Sequence, residues 1–271
     1  MGGEDGGKPS ATAGEEPQPK RPREDSSSDV SSFLASWAWK REHRPDRDRF
    51  QRPYVHPLCL PGGGELKLTV GQARFASSGP EGGGSFASTV WDSAIVAAKY
   101  LERHAGELVA GRRVLDLSAG CGLVALTAAA LGASRAVASD LGPNLPLLRR
   151  NAERNGLPVE VVEHWWGTDV APLGGPFDLV VACDCMYIEE AAAVGGGCQA
   201  GGGAANAGRA GGESTTTVIL AHGRNRFAEA AFWGAAAAAG MAAAAVDQAD
   251  LHPVYRCSDV DVYRLTLRQG G

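Results

Sequence analysis

Residues 112–130 read RRVLDLSAGCGLVALTAAA. The run from Arg112 to Leu117 reads as a strand. Two glycines, Gly120 and Gly122, then break the run, and a leucine- and alanine-rich helical segment follows. Glycine at such a turn permits positive φ and lets a ligand approach the backbone closely. The N-terminus of the next helix offers unpaired N–H groups that favour a carboxylate or phosphate. Strand, glycine turn and helix together open a βαβ unit.

Outward from that unit the same alternation continues. RAVASD (135–140), VEVVEHWW (159–166), FDLVVACD (177–184) and TTVILAH (216–222) read as strands. Between them Leu145, Leu148 and Ala152 share a helical face that ends at Asn155-Gly156, a C-cap signal. Phe227, Ala230, Ala231 and Gly234 mark a later helix that stops at Gly240. Val260 to Leu267 is a strand that arrives after the alternation is complete. Upstream, STVWDSAIVAAKYLE (88–102) places Thr89 and Asp92 in capping-box spacing, with Ala94, Ile95, Ala98 and Leu101 on one face. The expected fold is α/β, a Rossmann-like, mostly parallel sheet with a late antiparallel strand.

The chain has 271 residues, a net charge of -5 and 44% hydrophobic residues, enough for one domain with a real core. The mildly acidic balance gives no support to a general nucleic-acid binder. Six cysteines (Cys59, Cys121, Cys183, Cys185, Cys198, Cys257) form no CxxC pair, so no metal site is expected, and Cys183-Asp184-Cys185 reads as two small hydrophobes in a reduced compartment. MGGEDGGKPS lacks a signal-peptide core and no apolar run approaches a membrane span, which predicts a cytoplasmic protein with no membrane partner. Lys20 to Arg23, KRPR, reads as a solvated linker or as a nuclear-import patch. Residues 1–53 are expected to be a poorly ordered extension, and 54–271 the domain. The Gly/Ala tract 194–214 has little side-chain surface to pack and is expected to be a flexible insertion.

In parallel sheets of this kind ligands bind outside the carboxyl ends of the strands. Asp140 lies at one such end, where a carboxylate can accept the hydroxyls of a ribose. Asp184 lies at another, in FDLVVACDCMYIEE (177–190). It reads either as a carboxylate facing a substrate or as the N-cap of a helix beginning at MYIEE. Trp165 and Trp166 follow the third strand, where an indole can lie against an adenine. Gly120 to Ala125 also fit the GxGxx[GA] dinucleotide fingerprint, which keeps a nucleotide-cofactor oxidoreductase open as an alternative.

VWDSAIVAAKYLE, VLDLSAGCGLVAL, ASDL, WWG, CDCMYIEE and YRCSDVDVY occur in an order that resembles methyltransferase family 16, the seven-strand S-adenosylmethionine-dependent protein-lysine methyltransferases. Within that family it resembles the valosin-containing-protein lysine methyltransferase group. The resemblance covers about residues 84–190 and 216–267. It implies a seven-stranded class I methyltransferase sheet and S-adenosylmethionine as cofactor, held by Trp91, Ser118, Ala119, Gly120, Asp140, Trp166 and Cys183. It implies further that Asp184 and Tyr187 flank the transferred methyl, and that the substrate is a lysine of another protein, not a nucleic acid. A monomer is expected.

Two departures stand out. Where the family usually has Glu-Leu-Gly, this chain has Asp116-Leu117-Ser118, and a serine fits there if its φ is negative. Where relatives often show Tyr-Glu-x-Arg, this chain has Ala221-His222-Gly223-Arg224. A non-catalytic binding module on the same scaffold is therefore a second alternative.

Overall fold

The computed structural model describes residues 50, 52–73, 86–186, 216–223 and 228–267. It begins with an antiparallel hairpin, β1 (Tyr54–Cys59) and β2 (Glu65–Val70), in register from Tyr54↔Val70 to Cys59↔Glu65. Helices α1 (Asp92–Arg103) and α2 (Ala105–Leu108) follow, then β3 (Arg113–Leu117), α3 (Leu123–Ala130), β4 (Arg135–Asp140), α4 (Leu145–Asn155) and β5 (Val159–Glu163). The remainder comprises β6 (Leu179–Cys183), β7 (Thr217–Gly223), α5 (Glu229–Ala238), β8 (Met241–Ala245) and β9 (Val260–Leu267).

Strands β3 to β9 form one sheet in the order β5-β4-β3-β6-β7-β9-β8. The first five are parallel neighbours, and β9 runs antiparallel to both β7 and β8. This is the seven-strand, mostly parallel arrangement expected of a class I methyltransferase. From β3 the chain goes first to one side (β4, β5) and then returns to the other (β6, β7). The carboxyl ends of β3 and β6 therefore border the switch point, where open α/β sheets bind ligands.

The central strands read as unbroken apolar runs because both faces are covered. Val114, Leu179, Val181 and Ile219 pack in one core with α1, α3 and the hairpin residues Leu58, Leu68 and Val70. Leu115, Leu117, Val180 and Leu220 pack on the opposite face with Phe177 and Phe232. At about 25 cal/mol per Å² of apolar surface, burial of this kind is the dominant favourable contribution to folding.

Several expectations shift. Helix α1 begins at Asp92 with Trp91, not Thr89, as its cap residue, and no side chain caps it. Ile95, Ala98 and Leu101 are buried as expected, but so are Val96, Ala97, Lys99 and Tyr100. Sheet covers one side of the helix, and the hairpin and the loop at Tyr255 cover the other. Helix α4 agrees with its pattern, ending at Gly156 with φ 62. Helix α5 does not: Phe232 and Ala236 are buried, with Ala228 just before them, whereas Ala230 and Gly234 are exposed. An alanine-rich run is apolar on every side, so its one large buried side chain, Phe232, sets the orientation. Strand β5 stops at Glu163, leaving His164-Trp165-Trp166 in the following loop.

Residues 1–49, the insertion at 194–214 and the helix expected after Met186 lie outside the described residues, as does Phe227. No described helix is long and apolar enough to cross a membrane.

Candidate functional site at the carboxyl ends of β3, β4, β5 and β6

The turn after β3 holds three residues in the left-handed region: Ser118 (φ 59), Gly120 (φ 55) and Gly122 (φ 85). A Cβ on Gly120 would meet the Ala87 carbonyl oxygen at 3.0 Å, and one on Gly122 would press on Leu148 Cδ1. Both glycines are favoured by φ, and a side chain at either would press on a packed neighbour. Ser118 does not meet the condition of a negative φ under which a serine fits this turn. It is a non-glycine residue in a conformation costly to L side chains.

The first turn of α3 is not fully open to an anion, as the sequence suggested. Ala125 N–H donates to Asp116 Oδ2 at 3.0 Å, so a carboxylate of β3 itself satisfies part of the helix N-terminus. Asp116 is buried, and desolvation raises its pKa to about 7. The Ala125 hydrogen bond opposes that rise and the Asp140 charge adds to it.

Asp140 is also more engaged than a carboxylate merely waiting in a cleft. Its Oδ2 accepts from Gly120 N–H at 2.7 Å, and its Oδ1 from Leu141 N–H at 2.8 Å and Asn144 Nδ2 at 2.6 Å. Its backbone carbonyl accepts from His164 N–H at 3.0 Å. A carboxylate has about four acceptor positions, so Asp140 organises the turn with three of them.

Trp166, half-buried, donates its indole N–H to Ser118 Oγ at 2.9 Å. Trp165 beside it is 53% exposed and donates to Glu163 Oε1 at 3.2 Å, so the two tryptophans face different surroundings. Trp91 is half-buried at the start of α1, where its carbonyl accepts from Ala94 and Ile95 N–H. Ala119 N–H donates to Ser139 O at 2.9 Å, holding the turn against the end of β4.

At the end of β6, Cys183 is partly exposed. Its thiol pKa is raised well above the usual value, first by burial and then by Asp116, Cys185 and Asp184. Asp184 is buried with φ 53. Its N–H donates to Ala221 O at 2.8 Å and its Oδ1 accepts from Gly223 N–H at 3.3 Å, both on β7. Strained residues at a strand mouth are a recurrent feature of functional sites. Tyr187, and the helix that Asp184 was expected to cap, lie outside the described residues. Among the described residues no group of three metal-ligating side chains comes together.

Three supports escaped the sequence reading. Fully buried Asn151 on α4 accepts from Gly71 N–H at 2.8 Å and donates to Gly71 O at 3.0 Å and Cys121 O at 2.9 Å. It thereby ties the end of β2 to the glycine turn. Ala87, in the turn before α1, accepts from Cys121 Sγ at 3.3 Å and closes over Gly120. His164 is buried, and desolvation lowers its pKa. Only the Asn151 position, a polar residue amid the apolar face of α4, carries a trace of this in the sequence.

The described residues named above fall in one stretch or, like Gly71, Ala221 and Gly223, contact a residue of it directly. Residues 78–194 match the family described as lysine methyltransferase. Among curated relatives, the chain is 40% identical over 112 residues to the protein N-lysine methyltransferase METTL21A of Danio rerio, covering 38% of this chain and 50% of that one. It is 27% identical over 164 residues to the protein N-terminal and lysine N-methyltransferase efm7 of Emericella nidulans, covering 52% and 62%. It is 37% identical over 108 residues to the calmodulin-lysine N-methyltransferase of Arabidopsis thaliana, covering 37% and 35%. The matches to these relatives thus span between about a third and two thirds of their lengths.

Proposed function

We propose that this protein is an S-adenosylmethionine-dependent protein-lysine N-methyltransferase. The observation that carries the reading is the pairing of a glycine turn after β3 with Asp184 at the mouth of neighbouring β6, within the matched segment. The residues fit the cofactor: Gly120 and Gly122 take positive φ at the turn, which lets a ligand approach the backbone, and Asp140 is buried at the adjacent strand end. Trp91, Ser118, Ala119, Gly120, Asp140, Trp166 and Cys183 would hold it. Bound there, S-adenosylmethionine supplies an electrophilic methyl group on a sulfonium, whose thioether leaves without acid assistance.

The chain's own residues face the harder problem, which is the nucleophile. A lysine amine has a free pKa of about 10.4 and is mostly ammonium at neutral pH. Removing it from water lowers that value, and the released proton passes to solvent. The Asp184 carboxylate draws in the ammonium and then accepts a hydrogen bond from the neutral amine, orienting its lone pair. The same negative charge opposes deprotonation, so Asp184 acts by orientation before it acts as a base. Alignment of this kind lowers barriers by several kcal/mol, up to about 7–11. Tyr187 is assigned the wall of the lysine slot.

The same proposal makes the substrate a lysine on another protein, the enzyme a monomer and its location cytoplasmic, with nuclear entry through the basic patch at Lys20 to Arg23. The test is incubation of the purified protein with labelled S-adenosylmethionine and a cell extract, followed by mass spectrometry for methylated lysine. Calorimetry against S-adenosylhomocysteine and NAD accompanies it. Absence of labelled lysine, or binding of NAD in place of S-adenosylhomocysteine, would overturn the reading.

A further inference from the structure

Ser118 has the wrong side chain for its backbone. At φ 59 an L residue meets steric opposition that glycine does not, and strained conformations of this kind persist where neighbouring structure holds them. What holds Ser118 is visible. Its Oγ accepts the indole N–H of Trp166 at 2.9 Å across 48 residues of chain.

That bond spans the end of β4, because Ser118 follows β3 and Trp166 follows β5. Asp140 lies between them, accepting Gly120 N–H on its carboxylate and His164 N–H on its carbonyl. Three hydrogen bonds and two short stretches of backbone therefore close Ser118, Gly120, Asp140, His164 and Trp166 into a ring over three strand ends. The Ser118 hydroxyl fixes the edge of the indole, and the rest of the ring fixes the loop that carries it.

We propose that Ser118 is a positioning residue that acts through Trp166, fixing the indole plane that walls the adenosine part of the cofactor site. The proposal rests on the methyltransferase reading above. Backbone ease at this turn is traded for a fixed aromatic surface. A purely structural role for Ser118 leads to a different expectation: replacing the strained L residue with glycine would change stability alone and leave cofactor affinity at the wild-type value.

The test uses the full chain with Ser118→Gly, Ser118→Ala and Trp166→Phe, each single variant and both Ser118/Trp166 doubles. S-adenosylhomocysteine affinity is measured by calorimetry, tryptophan emission on ligand-free protein, and the melting temperature beside them. Ser118→Gly is expected to hold or raise the melting temperature while weakening S-adenosylhomocysteine about 3- to 10-fold, the range of one lost hydrogen bond. Ser118→Ala is expected to weaken it equally, with a lower melting temperature than Ser118→Gly because alanine retains the strain. Either change shifts the emission of the wild-type background and leaves that of the Trp166→Phe background unchanged. Wild-type affinity in both single variants, or the same emission shift in both backgrounds, would overturn the role of Ser118. Failure of the wild-type protein itself to bind S-adenosylhomocysteine would overturn the site reading instead, before any variant is compared.

Discussion

Asp184 reaches from the end of β6 to the end of β7 and accepts the Gly223 N–H at 3.3 Å. Its own N–H donates to Ala221 O, so the residue bridges two strands through backbone and side chain together. This bridge is an alternative to the helix cap that the sequence also allowed. Asparagine tolerates the left-handed region and keeps an oxygen for Gly223, while losing the charge that attracts an ammonium. Asp184→Asn is therefore expected to keep the melting temperature and the S-adenosylhomocysteine affinity while lowering single-turnover methylation at saturating cofactor at least 100-fold. Asp184→Ala is expected to lose about 1–2 kcal/mol of stability as well, from strain and an unpaired buried N–H. Wild-type turnover in the asparagine variant would reduce Asp184 to a structural bridge.

Asp140 invites a different expectation from that of a free strand-end carboxylate. With three protein donors on it at 2.6–2.8 Å, the side chain builds the turn as well as facing it. Hydrogen bonds to charged groups contribute about 1.5–3 kcal/mol each, although they are not additive. Asp140→Ala should weaken S-adenosylhomocysteine binding and also lower stability by about 2–4 kcal/mol in a denaturant titration. A variant that loses binding at unchanged stability would show that the three donors find water without cost.

The sheet was legible because burial on both faces writes a run such as Val180-Val181 that a surface strand does not carry, and because Gly120 and Gly122 punctuate it. The hairpin was not. Pro57 inside β1 argues against a strand there, although the glycines at 62–64 suit the turn, yet Leu58, Leu68 and Val70 bury the pair against the core. Strand β8 and the face of α5 failed for one reason: in Met241–Ala245 and the alanines around Phe232 every position is apolar, so periodicity carries no signal. Within the site, positions at strand ends were legible, but the partners of each side chain were not. The Ser118–Trp166 and Asp184–Gly223 bonds join residues brought together only by strand order.

Asn151 tests how the hairpin end supports the turn. It makes three hydrogen bonds with no exposure to water, two of them to Gly71, whose absent Cβ would lie 2.9 Å from Asn151 Oδ1. Asn151→Leu fills the space but leaves those backbone groups without this partner. The expected loss is about 3 kcal/mol or more, beyond what a volume-conserving exchange costs. A companion Gly71→Ala should destabilise too, and the pair should be less than additive because both break one contact. Additive losses in the double variant would separate the two sites.

Asp116 and His56 are expected to oppose each other as pH changes. Asp116 has its folded pKa raised from 3.8 to about 7, with desolvation the main cause, so between those values the folded state holds more protons than the unfolded one. Its contribution to stability is greatest at low pH and falls as pH rises through that window. His56, fully buried on β1, has its pKa lowered from 6.5 to about 4 by desolvation, then by Lys99 and His252. Between those values its folded form holds fewer protons, so its contribution is present above pH 6.5 and is lost as pH falls toward 4. Each slope approaches about 1.4 kcal/mol per pH unit at its steepest, with opposite sign. Over the shared window from about pH 4 to 6.5 the two offset each other in the wild-type chain. Asp116→Asn keeps an acceptor for Ala125 N–H and removes the falling slope, so its stability should rise with pH more steeply than that of wild type. His56→Gln removes the rising slope and should leave a protein that is relatively more stable near pH 4.5 than near pH 6.5. Urea titrations of the three proteins at half-unit steps decide the matter. Parallel pH profiles for wild type and both variants would mean that neither group titrates in the folded state as its burial requires.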